Sequence, residues 1–248
     1  MKTRTFGMII LAALLAACAA PPAPTPTPTS PPPTSTPQPS PTPEPSPTPD
    51  PVLFRDDFDS GELGFEWHIV NENPDRYSLA GSPGWLEISA GRGEARSGDI
   101  ENLVVHQVPE GDFELETLLR FQPGANFQFA GLLIFESGAD YLQFGRAFCN
   151  AAPPRCVGDG LYLDAIVDGN FAGDNFAAPS PAGDSVYLRL RKEGTNYTTY
   201  FSSDGSQWLL HGTQTSEMLP LFIGLLAGQS RSGSRPAQFD YFQITALN

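Results

Sequence analysis

The sequence is poor in cysteine, histidine and positive charge, and these shortages exclude several classes of protein. Its 248 residues include three cysteines, three histidines and 14 Lys and Arg against 28 Asp and Glu, which gives a formal net charge of −14. An acidic chain repels phosphate backbones, so nucleic-acid binding is not expected. His68, His106 and His211 are scattered, and no Gly-x-Ser-x-Gly turn is present, which argues against serine-based catalysis.

The N-terminus has the features of an export signal. Lys2 and Arg4 precede an apolar run at residues 6–15, which ends in Leu-Ala-Ala followed by Cys18. A membrane-spanning helix needs about 20 residues, so this run is too short to be one, and its order of charge, apolar core and small residues is that of a secretory signal. Cys18 after Leu-Ala-Ala resembles a bacterial lipoprotein signal, although a plain signal with an incidental cysteine is the alternative. The resemblance implies a signal peptide at residues 1–17 and lipidation of Cys18. It also implies an extracytoplasmic protein anchored to the cell envelope, with membrane contact through the lipid alone.

A proline-rich linker follows, at residues 18–51. Residues 21–51 carry 16 of the chain's 26 prolines, alternating with Thr, Ser, Gln and Glu. Such a segment cannot bury apolar area and stays extended. At about 3.1 Å per residue it reaches on the order of 90–100 Å, so we expect a disordered stalk. A docking site for a proline-binding partner is the alternative.

Residues 52–248 have strand periodicity throughout. Apolar and charged residues alternate over residues 113–121 and 187–191, and Asp204-Gly205 separates two further strand-like runs, which predicts a hairpin. Nearly continuous apolar runs at residues 129–135 and 219–227 are typical of central strands. The pattern predicts one all-β domain, an antiparallel two-sheet sandwich of about a dozen strands. Residues 168–184 have no strand pattern, and we expect a loop there that forms the rim of a site.

An ordered set of short motifs resembles a known family. The motifs are Phe54-Arg-Asp-Asp-Phe-Asp59 with Trp67, Gly84-Trp-Leu-Glu-Ile88, Asp112-Phe-Glu-Leu-Glu116, Gln128-Phe-Ala-Gly-Leu-Leu133, Asp140-Tyr-Leu142, Tyr187-Leu-Arg-Leu190, Tyr200-Phe-Ser-Ser-Asp-Gly205 with Trp208, and Ala237-Gln-Phe-Asp-Tyr-Phe242. In this order they are similar to the concanavalin A-like (laminin G-like) jelly roll. The nearest types are the C-terminal sandwich of family-43 β-xylosidases and the domain of unknown function 1349. The resemblance implies the jelly-roll fold. It carries over no catalytic residue, because hydrolysis in family 43 belongs to a separate propeller domain with no counterpart in these residues.

The two remaining cysteines lie seven positions apart, at Cys149 and Cys156, on either side of a proline-containing turn. In an oxidising environment such a pair predicts a disulfide that shapes one loop, which stabilises the fold by roughly 2–3 kcal/mol. A metal-binding pair is the weaker alternative, since no other cysteine or nearby histidine completes a tetrahedral set.

Acidic residues near both ends of the domain suggest a calcium site. Asp56, Asp57 and Asp59 lie near its start and Asp240 near its end, and Ca²⁺ prefers oxygen ligands. The resemblance implies a structural Ca²⁺ where the first and last strands meet, with Asp57 and Asp240 as ligands. The alternative is that these acids are solvated charges at a strand edge.

Glu114 and Glu116 are the acid pair with the spacing of a glycosidase site, because they share one face of a strand. Retaining hydrolysis needs two carboxyl groups about 5–5.5 Å apart. No third acid completes the pattern seen in hydrolytic members of this superfold. We therefore favour the interpretation that both pair with Arg120, Arg189 or Arg191 across strands.

Aromatic and amide side chains concentrate between residues 126 and 176, which favours glycan binding. The predicted ligand-binding residues are Gln128, Tyr141, Gln143, Arg146, Tyr162 and Asp164, with Phe148, Phe171 and Phe176 as further candidates. The sequence thus predicts a surface-tethered, non-catalytic sandwich lipoprotein whose partner is a polysaccharide or other glycan. A structural or protein-interaction domain is the first alternative, and a glycoside hydrolase or lyase the second.

Overall fold

A computed structural model of the chain describes residues 50–151, 156–172 and 176–247. The predicted signal peptide, the lipidation site at Cys18 and most of the predicted linker lie outside these residues. No helix in the described part of the chain is long and apolar enough to cross a membrane.

The described residues form seventeen strands and one short 3-10 helix, Pro74–Arg76. The strands are β1 (Val52–Asp56), β2 (His68–Val70), β3 (Tyr77–Ser78), β4 (Leu86–Ala90), β5 (Leu103–Gln107), β6 (Phe113–Arg120), β7 (Phe129–Phe135), β8 (Tyr141–Cys149), β9 (Gly158–Val167), β10 (Asn170–Phe171), β11 (Phe176–Pro179), β12 (Ser185–Glu193), β13 (Asn196–Ser202), β14 (Leu209–Thr215), β15 (Phe222–Gly228), β16 (Arg235–Phe239) and β17 (Phe242–Ala246).

These strands form two antiparallel sheets, which confirms the predicted all-β sandwich. Sheet A has nine strands in the order β14-β13-β12-β6-β16-β4-β3, with β17 pairing β6 and β1 pairing β17. Sheet B has eight strands in the order β10-β9-β8-β7-β15-β5-β2, with β11 also pairing β9. The predicted hairpin around Asp204-Gly205 is confirmed, because β13 pairs with β14.

The main core fills the space between the sheets. Strand β6 shows how the sequence builds it: Phe113, Leu115 and Leu119 are fully buried in the core, while Arg120 is exposed. Period-two alternation places such residues on one face of a strand. Since the longer central strands contribute rows of this kind, the inner faces of sheets A and B bury one continuous apolar layer.

The outer face of sheet B carries a second hydrophobic cluster. Leu133, Tyr141 and Ile166 belong to it, and Ala95 and Ile100 of the segment between β4 and β5 pack with them. The central strands of sheet B are therefore covered on both faces, which explains why β7 and β15 have nearly continuous apolar sequences.

The prediction of a strandless loop over residues 168–184 is wrong. Strands β10 and β11 both lie within it and pair with β9. They were missed because they are short and lie at the edge of the sheet, where Pro179 is tolerated since one side of an edge strand needs no hydrogen bond. Such short strands also explain why the strand count exceeds the prediction.

Candidate functional site

The outer face of β8 and β9 brings several of the predicted ligand-binding residues together. Gln143 lies opposite Asp164 in the antiparallel register, and Gly145 lies opposite Tyr162. Directly opposed residues in an antiparallel pair share a face. These side chains therefore lie on the surface of sheet B that faces away from the main core.

A cavity of about 310 Å³ opens on this face. We call it the aromatic groove, and its described lining is Phe127, Phe129, Ala147, Phe148, Cys149, Ala151, Cys156, Tyr162, Asp164, Phe171 and Gln229. Phe127 and Phe171 are 37% and 55% exposed. The groove therefore offers aromatic rings to a ligand, with a few polar groups among them.

A hydrogen-bonded chain of polar side chains runs beside the groove. Gln229 donates from Nε2 to Oε1 of Gln143 (2.7 Å), and Gln143 donates from Nε2 to Oδ2 of Asp164 (3.2 Å). Gln143 is only 2% exposed, so it supports Asp164 rather than reaching a ligand. Burial raises the pKa of Asp164 to about 6, against the opposing effect of the hydrogen bond from Gln143.

Tyr162 is held in place by the backbone just before and at the start of β9. Its hydroxyl donates to the carbonyl of Gly158 (2.8 Å) and accepts from the amide of Val157 (3.0 Å). Both residues follow Cys156, which forms the predicted disulfide with Cys149 at the end of β8. The described residues around this disulfide, 149–151 and 156–158, which we call the disulfide loop, therefore fix one wall of the groove. Burial raises the pKa of Tyr162.

Gly131 and Gly145 lie opposite each other on β7 and β8, beside Tyr162 on the same face. A Cβ atom on either glycine would overlap the backbone of the neighbouring strand. The close approach of the two strands thus requires glycine at both positions, and it leaves that part of the face without side chains.

Three other predicted residues are not brought to the groove. Gln128 is buried and its Oε1 accepts from the amides of Gly124 and Ala125, so it shapes a turn. Phe176 packs against the main core. Tyr141 shares the outer face but is 4% exposed within the second cluster, and burial raises its pKa.

Arg146 is also absent from the groove. It is 3% exposed, forms an ion pair with Asp159 (2.6 Å) and donates to the carbonyl of Gly183 (3.0 Å). Its position on β8 is an odd number of residues from Gln143, so alternation puts it on the opposite face. The side chain ties β8 to β9 and to the turn before β12.

Sequence reasoning missed Phe127, Phe129 and Gln229 as lining residues of the groove. Phe129 lies opposite Ala147, and a strand register would have placed both on the outer face. Phe127 has a left-handed backbone, with φ of 66°, a conformation that is rare for phenylalanine and is not predicted from sequence. Gln229 follows β15 and reaches the site through the order of strands in the sheet, which no local pattern encodes.

Glu114 and Glu116 form a cross-strand ion-pair network on the outer face of sheet A. Arg191 donates to Glu114 (2.9 Å), and Arg189 donates to Glu116 (2.6 Å). Tyr241 also donates its hydroxyl to Glu116 (2.5 Å). This confirms pairing with Arg189 and Arg191 and leaves the two carboxylates occupied as partners of guanidinium groups.

The acids proposed for calcium lie near the pairing of β1 with β17. Arg55 donates to Asp57 from two nitrogens. The pKa of Asp240 is raised, first by burial and next by the negative charge of Asp57. Asp56 accepts from the indole of Trp67 and the amide of Phe58. Among the described residues no group of three His, Cys, Asp or Glu side chains could hold a metal. The calcium site at Asp57 and Asp240 stays a prediction that rests on two carboxylates, one of them already ion-paired.

Comparison with solved structures identifies the same fold in several proteins. The GH43 protein BlXynB from Bacillus licheniformis superposes with a TM-score of 0.68 at 22% identity, over 78% of this chain and 39% of that one. Xylan β-1,4-xylosidase from Bacillus halodurans C-125 gives 0.64 at 23%, over 77% and 38%. A functionally unknown protein from Saccharomyces cerevisiae gives 0.56 at 14%, over 74% and 97%.

The chain therefore spans about two fifths of the length of the GH43 proteins that it resembles. No curated protein sequence matches it. Residues 55–245 match the family described as the beta-xylosidase C-terminal concanavalin A-like domain. The chain belongs to this family of concanavalin A-like domains, the C-terminal domains of β-xylosidases.

Proposed function

We propose that the chain is a non-catalytic carbohydrate-binding module that holds a glycan in the aromatic groove and is tethered outside the cell through Cys18. The observation that carries the proposal is the groove itself, which Phe127, Tyr162 and Phe171 line together with Asp164. Aromatic faces pack against the C–H faces of sugar rings, and a few placed polar groups fix their hydroxyls.

The size and character of the groove support this function. Its volume of about 310 Å³ is at the lower end of the range of small-molecule sites, so it suits a short stretch of a sugar chain. Phe129, Tyr162 and Phe171 lie on strands, which limits the ordering cost of binding.

The acidic residues of sheet A support a non-catalytic function. Glu114 and Glu116 had the spacing of a hydrolytic pair, yet both accept from arginines on β12. A nucleophile or general acid needs a carboxyl group that can reach substrate. The GH43 proteins match this chain over about two fifths of their own length, and their activity is not transferred to it.

Binding to a panel of plant and microbial polysaccharides, measured with the full chain, tests the glycan function. Phe171→Ala should weaken binding roughly threefold to tenfold, because one exposed aromatic contact is lost. Leu210→Ala is the matched control, since Leu210 is also exposed (64%) but lies on β14 of sheet A. No binding to any polysaccharide would favour the protein-interaction alternative. Equal polysaccharide binding by Phe171→Ala and the control would instead mean that the glycan is not held against Phe171.

The tether has its own test. In a bacterial host, Cys18→Ser should move the exported protein from the membrane fraction to the soluble fraction, because the variant cannot accept a lipid. Cys18→Ser that stays with the membranes would contradict a lipid anchor at this residue.

A further inference from the structure

The aromatic groove has one charged side chain among its described lining residues, the carboxylate of Asp164. An ionised carboxylate only accepts hydrogen bonds, through two oxygens. Gln143 donates to Oδ2, and no described side chain or amide is hydrogen-bonded to Oδ1. The second oxygen therefore keeps its full capacity to accept a hydrogen bond from a ligand.

No positively charged side chain stands beside this acceptor among the described lining residues of the groove. The Tyr162 hydroxyl is already bonded to Val157 and Gly158. The guanidinium of Arg231 lies over the Phe127 ring at 5.2 Å from its centroid and is ion-paired with Glu94 at 3.6 Å. The groove thus has no unpaired cation in its described lining that could hold a ligand's negative charge.

We propose that the aromatic groove selects neutral glycans, with Asp164 accepting a hydrogen bond from a sugar hydroxyl that lies against the rings. This inference rests on the proposed glycan-binding function. A uronate or a sulfated sugar would bring a second negative charge next to Asp164 in a partly desolvated site, where like charges repel strongly. A neutral sugar instead supplies the hydroxyl donor that the carboxylate lacks.

The orientation of the supporting amides agrees with this role. Gln229 donates to Gln143, and Gln143 donates to Asp164. The chain of donors therefore ends at the carboxylate, which fixes its position and leaves it as the terminal acceptor facing the groove. A site built for an anionic sugar would need the opposite arrangement, with donors at its end.

The test compares neutral oligosaccharides with negatively charged counterparts. The full chain is titrated with cello-, galacto- and xylo-oligosaccharides and with the C6-carboxylate or glucuronate-bearing counterpart of each. The expected result is binding to at least one neutral member, with its charged counterpart weaker by roughly tenfold. Equal or tighter binding of a charged counterpart would overturn the inference.

Asp164→Asn tests the residue itself. It should weaken binding of the neutral ligand roughly tenfold, since a hydrogen bond to a charged acceptor is lost. It should also reduce the difference in affinity between the neutral ligand and its charged counterpart. Asp168→Asn is the matched control, because it makes the same charge change at an exposed position beyond the end of β9. Thermal unfolding of both variants checks that they are folded. Gln229→Ala perturbs the same row of hydrogen-bonded side chains a second time, because it removes the donor to Gln143.

The outcomes separate this inference from the proposed function. Binding that is weakened by Phe171→Ala but is the same in Asp164→Asn as in the wild type would leave glycan binding in place and reject the role of Asp164. If no oligosaccharide or polysaccharide binds, both the glycan-binding function and the role of Asp164 are rejected.

Discussion

Asp164 has opposite consequences for binding and for folding. Its carboxylate is the polar group that a sugar hydroxyl would meet in the aromatic groove, yet burial raises its pKa to about 6, so its charged form is disfavoured in the folded protein. A residue retained at a cost to stability is typical of functional sites.

The stability of the protein should therefore depend on pH through Asp164. The folded state holds this proton more tightly than the unfolded state, whose value is near 3.8. The stability gained from this tighter binding of the Asp164 proton is thus fully present below about pH 4 and is lost as the pH rises through about 6. Asp164→Asn should raise the free energy of unfolding relative to wild type at pH 8, by at most about 3 kcal/mol, and have little effect at pH 4. Denaturant unfolding at both pH values measures this, and an equal difference at both would contradict it.

At the residue scale, the sequence predicted the site in part. Tyr162 and Asp164 lie two positions apart on one strand, so period-two spacing was sufficient to put them on one face. The same rule places Arg146 on the other face from Gln143, where it pairs with Asp159. Gln229 was not predictable, since its contact with Gln143 depends on β15 lying two strands away from β8.

The disulfide loop is the element on which the geometry of the groove depends most directly. Cys149 and Cys156 line the groove themselves, and the backbone that follows Cys156 bonds the Tyr162 hydroxyl. The loop therefore connects a covalent constraint to the position of an aromatic side chain.

Replacing both cysteines, as Cys149→Ser with Cys156→Ser, should lower the free energy of unfolding by about 2 kcal/mol. It should also weaken glycan binding, because Tyr162 loses its fixed partners. Titration of the variant with a polysaccharide that binds the wild type, together with thermal unfolding, measures both effects. Lower stability with unchanged affinity would show that the loop stabilises the fold without shaping the site.

Over the whole molecule, the two ends of the described domain meet in sheet A, where β1 pairs with β17. This pairing closes the sandwich through backbone hydrogen bonds and places Asp57 and Asp240 near the same edge. It is the position at which a cation would tie the ends together further.

Calcium should raise the melting temperature of the full chain if Asp57 and Asp240 bind it, because a ligand that binds only the folded state stabilises it. The increase should be absent in excess chelator and in Asp240→Asn, while Asp75→Asn, an exposed acid in the 3-10 helix, serves as control. The same melting temperature in calcium and in chelator would exclude the site.

The fold was more predictable than the site at this scale. Alternation along strands such as β6 and β12, and the order of the short motifs, were sufficient for the sandwich because both depend on local sequence. The second hydrophobic cluster was not predicted, since it is formed when the segment holding Ala95 and Ile100 folds across sheet B. A coil segment that covers a sheet leaves no periodic signal in the sequence.

That second cluster has a consequence for the dynamics of the protein. Strands β7, β8 and β15 are covered on both faces, so their amides should be the last to exchange with deuterium, and the exchange should report global unfolding. The aromatic groove lies on this slowly exchanging part of the sheet. A ligand would therefore find its platform already ordered, and binding would protect the short edge strands β10 and β11 more than the centre.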